Sequence, residues 1–102
     1  MTSLKRYGSS ALVTGASSGI GKSYARTLAA NGLDLVLVAR RKQLLDELAE
    51  ELGRVHGVKV HTIAQDLSET DAAERVYEAV QQAGLEIDIL INNAGYGSHG
   101  VF

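Results

Sequence analysis

Short apolar runs alternate along the chain with longer stretches in which apolar residues recur at helical spacing. Ser10–Thr14 holds the run Ala11-Leu12-Val13 and predicts a short buried strand. Residues 20–30 predict a helix with Ile20, Tyr24, Leu28 and Ala29 on one face, stopped by Asn31-Gly32. Residues 33–39, Leu-Asp-Leu-Val-Leu-Val-Ala, are almost continuously apolar, which suits a strand covered on both faces as in a parallel sheet. Residues 41–55 place Leu45, Leu48, Leu52 and Val55 on one stripe, with Glu47, Glu50 and Glu51 as a solvated face, and Gly57 closes the helix. Residues 58–64 are β-branched and partly alternating, a third strand. Ser68 with Asp71 three residues on approximates a capping box. The helix it opens runs to about Ala83 with Ala72, Val76 and Val80 inward, and Gly84 stops it. Residues 87–91 predict a fourth strand, and residues 92–102 a loop.

The order βαβαβαβ, with right-handed crossovers, gives an α/β fold: a parallel sheet with helices on both faces. One domain, 1–102, accounts for the length. Apolar residues make up 45%, charged residues 22%, and the net charge is −2, so no basic excess points to nucleic acid or to an anionic membrane surface. The absence of cysteine excludes a disulfide framework and thiolate metal ligation. The first seven residues lack a signal peptide's apolar core, and no apolar run approaches membrane-spanning length, so a cytoplasmic location is expected. His56, His61 and His99 share no metal-site spacing.

The segment Thr14-Gly15-Ala16-Ser17-Ser18-Gly19-Ile20-Gly21 lies where the first strand gives way to the first helix. A helix N-terminus presents unpaired N–H groups and a partial positive charge, which suits a phosphate. Glycines there remove the side chains that would block the approach. The pattern predicts a nucleotide ligand.

Four features together resemble the N-terminal part of the classical short-chain dehydrogenase/reductase family. They are the segment 14–21, which fits that family's TGxxxGIG motif; Ala39-Arg40 at the end of the second strand; Asp66-Leu67 after the third; and Asn92-Asn93-Ala94-Gly95 after the fourth. The resemblance covers essentially the whole chain and implies a Rossmann-type doubly wound sheet, truncated after four strands, with strand order 3-2-1-4. It also implies a dinucleotide cofactor. Gly15 would make the tight turn, Gly19 would admit the pyrophosphate, and Gly21 would let the helix pack close to the sheet. Ser17, Ser18 and Ile20 would lie beside them. Asp66 would accept the adenine amino group with Leu67 alongside, while Asn93, Ala94 and Gly95 would line the ribose and nicotinamide, with Asn92 the more structural.

Arg40 and Arg41 bear on which dinucleotide. In this fold an acidic residue near the end of the second strand binds the ribose 2′-OH of NAD, and a basic one accommodates the 2′-phosphate of NADP. Here Ala39 precedes two arginines, so NADP(H) is expected over NAD(H). The competing reading is a pair of solvated arginines at a helix start.

The resemblance implies carbonyl/alcohol oxidoreduction on a small substrate, unspecified by this sequence, through a Tyr-x-x-x-Lys pair. The tyrosines are Tyr7, Tyr24, Tyr77 and Tyr96, and four residues on stand Ala11, Leu28, Gln81 and Gly100. The pair is absent, no catalytic residue is assigned, and the chain alone is expected to be inactive. A non-catalytic NADP(H)-binding or scaffolding module and an inert truncation stay open as alternatives. The fourth strand would be an apolar edge, so self-association through it or marginal solubility is expected of the isolated chain, and a homo-oligomer is expected.

Overall fold

The structure is a computed structural model, and it describes residues 10–17, 19–66 and 68–92. Four strands form one parallel sheet: β1 (Ser10–Thr14), β2 (Asp34–Ala39), β3 (Val60–Ala64) and β4 (Ile89–Asn92), in the order β3-β2-β1-β4. Three helices connect them in sequence: α1 (Gly19–Ala30), α2 (Lys42–His56) and α3 (Ala72–Gln82). This is the expected Rossmann-like α/β frame.

Side chains alternate across the strands, so each face of the sheet has its own core. Ala11 and Val13 of β1 join Leu35, Leu37 and Ala39 of β2 against Ala25, Leu28 and Ala29 of α1 and Leu45, Leu48 and Leu52 of α2. Leu12, Val36 and Val38 face the other way, against Val76 and Val80 of α3. Double coverage explains why β2 reads as continuously apolar: its last five residues are all buried.

The helix ends follow the glycines. After α1 the Leu33 N–H donates to Leu28 O (3.1 Å) and the Gly32 N–H to Ala29 O (2.9 Å). After α3 the Leu85 N–H donates to Val80 O (3.1 Å) and the Gly84 N–H to Gln81 O (3.0 Å). Both are Schellman closures, in which an apolar residue just past the helix meets the one that accepts its N–H. The Gly57 N–H closes α2 on Gly53 O at 3.0 Å.

Several expectations need correction. Ile20 and Tyr24 do not face inward: they are 65% and 45% exposed, and the buried face of α1 is Gly21, Ala25, Leu28 and Ala29. At the first of these positions a Cβ would strike the Gly15 carbonyl, so only glycine fits. Val55, in the last turn of α2, leaves the stripe and is 58% exposed. The α3 capping box does not form. Its N-cap is Asp71, which makes no capping side-chain bond, and the Ser68 hydroxyl donates instead to Asp66 Oδ1 at 2.7 Å. Glu51 is not simply solvated. It takes a two-pronged ion pair from Arg26 (Nε–Oε2 3.0 Å, Nη2–Oε1 3.2 Å) that straps α1 to α2. The second, third and fourth strands start one or two residues later than the apolar runs, at Asp34, Val60 and Ile89.

Candidate cofactor site

Parallel register brings the carboxyl ends of the strands to one edge. Thr14 pairs with Val38 on one side and Asn92 on the other, and Ala39 pairs with Ala64. Gly15, Arg40 and Asp66 therefore follow strand ends that lie side by side. The chain leaves β1 toward β2 on one flank, and β4 joins β1 on the other. Ligands of open α/β sheets bind in the crevice outside the carboxyl ends at such a switch point.

The turn out of β1 is built by two glycines with different duties. Gly15 has φ 64°, a left-handed conformation that a residue with a Cβ resists. Directly after it the Ala16 N–H donates to Val38 O (3.2 Å), tying the turn to the end of β2. A Cβ on Gly21 would lie 2.0 Å from Gly15 O and 2.8 Å from Gly15 C, so only glycine lets the first turn of α1 rest on this turn.

Gly19 is required by neither constraint. A Cβ there would meet nothing within 4 Å, and its φ is not positive. The glycine keeps clear the space over the first turn of α1, a turn that carries no acidic residue. Open space over unpaired N–H groups at the positive end of a helix fits a phosphate. Ile20 is exposed beside it and Ser17 is half-buried.

At the end of β2 the buried Ala39 gives way to the exposed Arg40 and Arg41. Arg41 is the N-cap of α2 with extended backbone (φ −96°, ψ 101°), and its side chain makes no capping bond. No acidic residue occupies the first turn of α2. Among the described residues neither arginine has an ion-pair partner, whereas Lys42 pairs with Asp46 at 2.7 Å. Cations at a helix N-terminus oppose the dipole, and a bound anion would offset them.

Past β3, Asp66 Oδ1 accepts the Ser68 hydroxyl (2.7 Å) and the Ser68 N–H (2.9 Å). These bonds hold the Asp66 carboxyl below its ordinary range, and the charge of Arg40 acts in the same direction. Asp66 is therefore an oriented carboxylate on the same edge as the arginines.

Thr14 opens the motif, but the sequence assigns it no role of its own. It is a buried polar side chain, 5% exposed, and its hydroxyl lies 3.0 Å from Asn92 Oδ1 and 3.4 Å from Ile91 O. This fastens β1 to β4 where the crevice opens. The available signal was a hydroxyl at the end of an otherwise apolar strand. Asp46, not singled out in the sequence, accepts from Lys42 on its own helix and from the Thr62 hydroxyl on β3. The structure brings Gly15, Ser17, Gly19, Ile20, Gly21, Arg40, Arg41 and Asp66 to the carboxyl edge of the sheet. Ser18, Leu67, Asn93, Ala94 and Gly95 lie outside the described residues.

Comparison with known proteins agrees with this frame. Residues 9–102 match the family model described as short chain dehydrogenase. The chain is 46% identical over 106 residues to a very-long-chain 3-oxoacyl-CoA reductase of Neurospora crassa, across 98% of this chain and 31% of that protein. The solved structure of L-sorbose reductase from Gluconobacter frateurii, complexed with NADPH and L-sorbose, superposes with a TM-score of 0.81 and 42% identity, across 89% of this chain and 35% of that one. A short-chain dehydrogenase from Sphingobium yanoikuyae in complex with NADPH gives a TM-score of 0.74 and 43% identity, across 91% and 36%. The chain thus spans about a third of the length of these relatives. With the glycine turn, the strand order and the family match in agreement, the chain belongs to the short-chain dehydrogenase family.

Proposed function

We propose that the chain is the cofactor-binding part of an NADP(H)-dependent oxidoreductase that interconverts a carbonyl and an alcohol. The observation that carries this reading is the pair Arg40 and Arg41, without ion-pair partners among the described residues, following Ala39 where an NAD-type site needs an acid. A guanidinium can hold a 2′-phosphate with two parallel charge-assisted hydrogen bonds. The NADPH complexes of two structural relatives support the same choice.

In this reading Gly15, Ser17, Ser18, Gly19, Ile20 and Gly21 surround the pyrophosphate. Arg40 and Arg41 take the 2′-phosphate, and Asp66 with Leu67 holds the adenine. Asn93, Ala94 and Gly95 lie along the ribose and nicotinamide. When bound, the nicotinamide supplies or accepts a hydride. The chain's own share is to bind and orient: the α1 N–H groups neutralise phosphate charge, and the Thr14–Asn92 contact keeps the floor of the crevice fixed.

Titration of the purified protein with NADPH and NADH by calorimetry tests the assignment. Arg40→Ala is expected to weaken NADPH about tenfold, the scale of a charge-assisted hydrogen bond, and to change NADH less than about twofold. Equal losses for both cofactors would overturn it.

A second reading is a non-catalytic NADP(H)-binding module, which the lack of Tyr-x-x-x-Lys would favour were these 102 residues the protein's natural length. On both readings this chain binds cofactor without turnover; carbonyl-dependent NADPH oxidation by the 102 residues alone would refute that. A Tyr-x-x-x-Lys encoded in the reading frame beyond Phe102 would decide for the oxidoreductase. No described helix is long and apolar enough to cross a membrane. We propose that the protein is a homo-oligomer, on its apolar β4 edge; light scattering checks this.

A further inference from the structure

Three cations stand in a row at the carboxyl edge of the sheet: Arg40, Arg41 and Lys42. Among the described residues only Lys42 has an ionic partner, with its Nζ 2.7 Å from Asp46 Oδ2. The other oxygen of Asp46 is taken as well. Oδ1 accepts the Thr62 hydroxyl from β3 at 3.0 Å. The carboxylate is thereby pinned between α2 and the sheet. Lys42 and Thr62 both hold its pKa below the ordinary carboxylate value.

Helix stability does not account for this arrangement. A lysine four residues before its carboxylate is the weaker order for an i,i+4 pair, and a cation in the first helical turn opposes the dipole. The consequence of the pair is electrostatic and local. It cancels one of three adjacent positive charges and leaves Arg40 and Arg41 without an ion pair among the described residues, with only the Asp66 carboxylate in the field of Arg40.

We propose that Asp46 is a specificity-determining residue, which neutralises Lys42 and so limits the charge offered to a cofactor's 2′-phosphate to Arg40 and Arg41. This rests on the NADP(H) reading above. It makes the preference for a 2′-phosphate adjustable at a residue that does not touch the cofactor, with Thr62 fixing the carboxylate in place.

The test uses 2′,5′-ADP and 5′-AMP as probes, titrated calorimetrically into the purified protein at low salt. Asp46→Asn keeps an oxygen for Thr62 and removes the charge, and freed Lys42 is expected to tighten 2′,5′-ADP about three- to fivefold. The change for 5′-AMP is expected to stay below about twofold. Lys42→Met alone leaves the Asp46 carboxylate unpaired beside the arginines and is expected to weaken 2′,5′-ADP about three- to fivefold. In Lys42→Met/Asp46→Asn the gain should vanish. A gain that persists in the double variant, no gain in Asp46→Asn, or no loss in Lys42→Met would each overturn the proposal. Should Asp46→Asn fail to fold, the Lys42→Met result still decides. A wild type that binds both probes equally overturns the NADP(H) reading itself. A wild type that prefers 2′,5′-ADP while Asp46→Asn matches it overturns only the role of Asp46.

Discussion

Gly19 and Gly21 sit two residues apart in one motif, yet they answer to different constraints. At Gly21 an added methyl would strike the Gly15 carbonyl, a backbone atom that cannot step aside. Gly21→Ala is expected to cost about 1–3 kcal/mol or more in urea unfolding, as overpacking does. At Gly19 the methyl meets no protein atom. Gly19→Ala is expected to keep stability within about 0.5 kcal/mol, since alanine is the better helix former, while weakening NADPH in calorimetry. A Gly19→Ala protein that unfolds early would show that this glycine serves the fold instead. The sequence motif displayed both residues but did not separate their duties, because the duty depends on what lies opposite each Cα. Ile20 shows the same limit: its spacing to Tyr24 and Leu28 suits a buried stripe, yet it is exposed at the crevice.

Elements are joined here by ion pairs and hydrogen bonds that cross between them. Arg26–Glu51 ties α1 to α2, Thr62–Asp46 ties β3 to α2, and Asp66–Ser68 shapes the turn before α3. In each case a hydrogen-bonded partner holds the carboxyl pKa below its ordinary value. The folded state therefore binds these protons more weakly than the unfolded chain. Their contribution is present above the ordinary carboxylate pKa of about 4 and is lost as pH falls through the lowered folded values. Thermal unfolding at stepped pH between 7 and 3 should show Tm falling through the acid end. Asp66→Asn should flatten part of that fall, and an unchanged profile would argue that the Asp66–Ser68 turn is not populated. Helix ends were more legible than these pairs. Gly32, Gly57 and Gly84 stop their helices as the sequence implies, because a left-handed cap needs only local backbone and one or two hydrogen bonds. The Ser68–Asp71 box does not form because α3 begins at Ala72 with Asp71 as its N-cap, which leaves Ser68 in the preceding turn with Asp66.

At the scale of the molecule, the order β3-β2-β1-β4 decides what is covered. β1 and β2 are central and buried, whereas β4 is an edge among the described residues, with Ile89, Leu90 and Ile91 only half-buried. Ile89 and Ile91 lean on one core and Leu90 on the other, so both faces of this edge are apolar. An apolar edge strand pairs with another chain or aggregates. Light scattering over a concentration series should therefore show mass rising with concentration, and a stable monomer at high concentration would contradict it. The same order places the crevice between β1 and β4, next to the glycine turn and Asn92.

The sequence by itself determined the alternation of strands and helices, the three helix stops, and a phosphate-suited turn after the first strand. These depend on periodicity and on backbone conformation within a few residues. Only the tertiary structure decided which face of α1 is buried, since small residues win where a helix must approach a sheet closely. Only it paired Glu51 with a residue 25 positions away and Asp46 with one 16 positions away. It also left Arg40 and Arg41 without ionic partners among the described residues while giving one to Lys42, because charge compensation is settled by distance in space rather than along the chain.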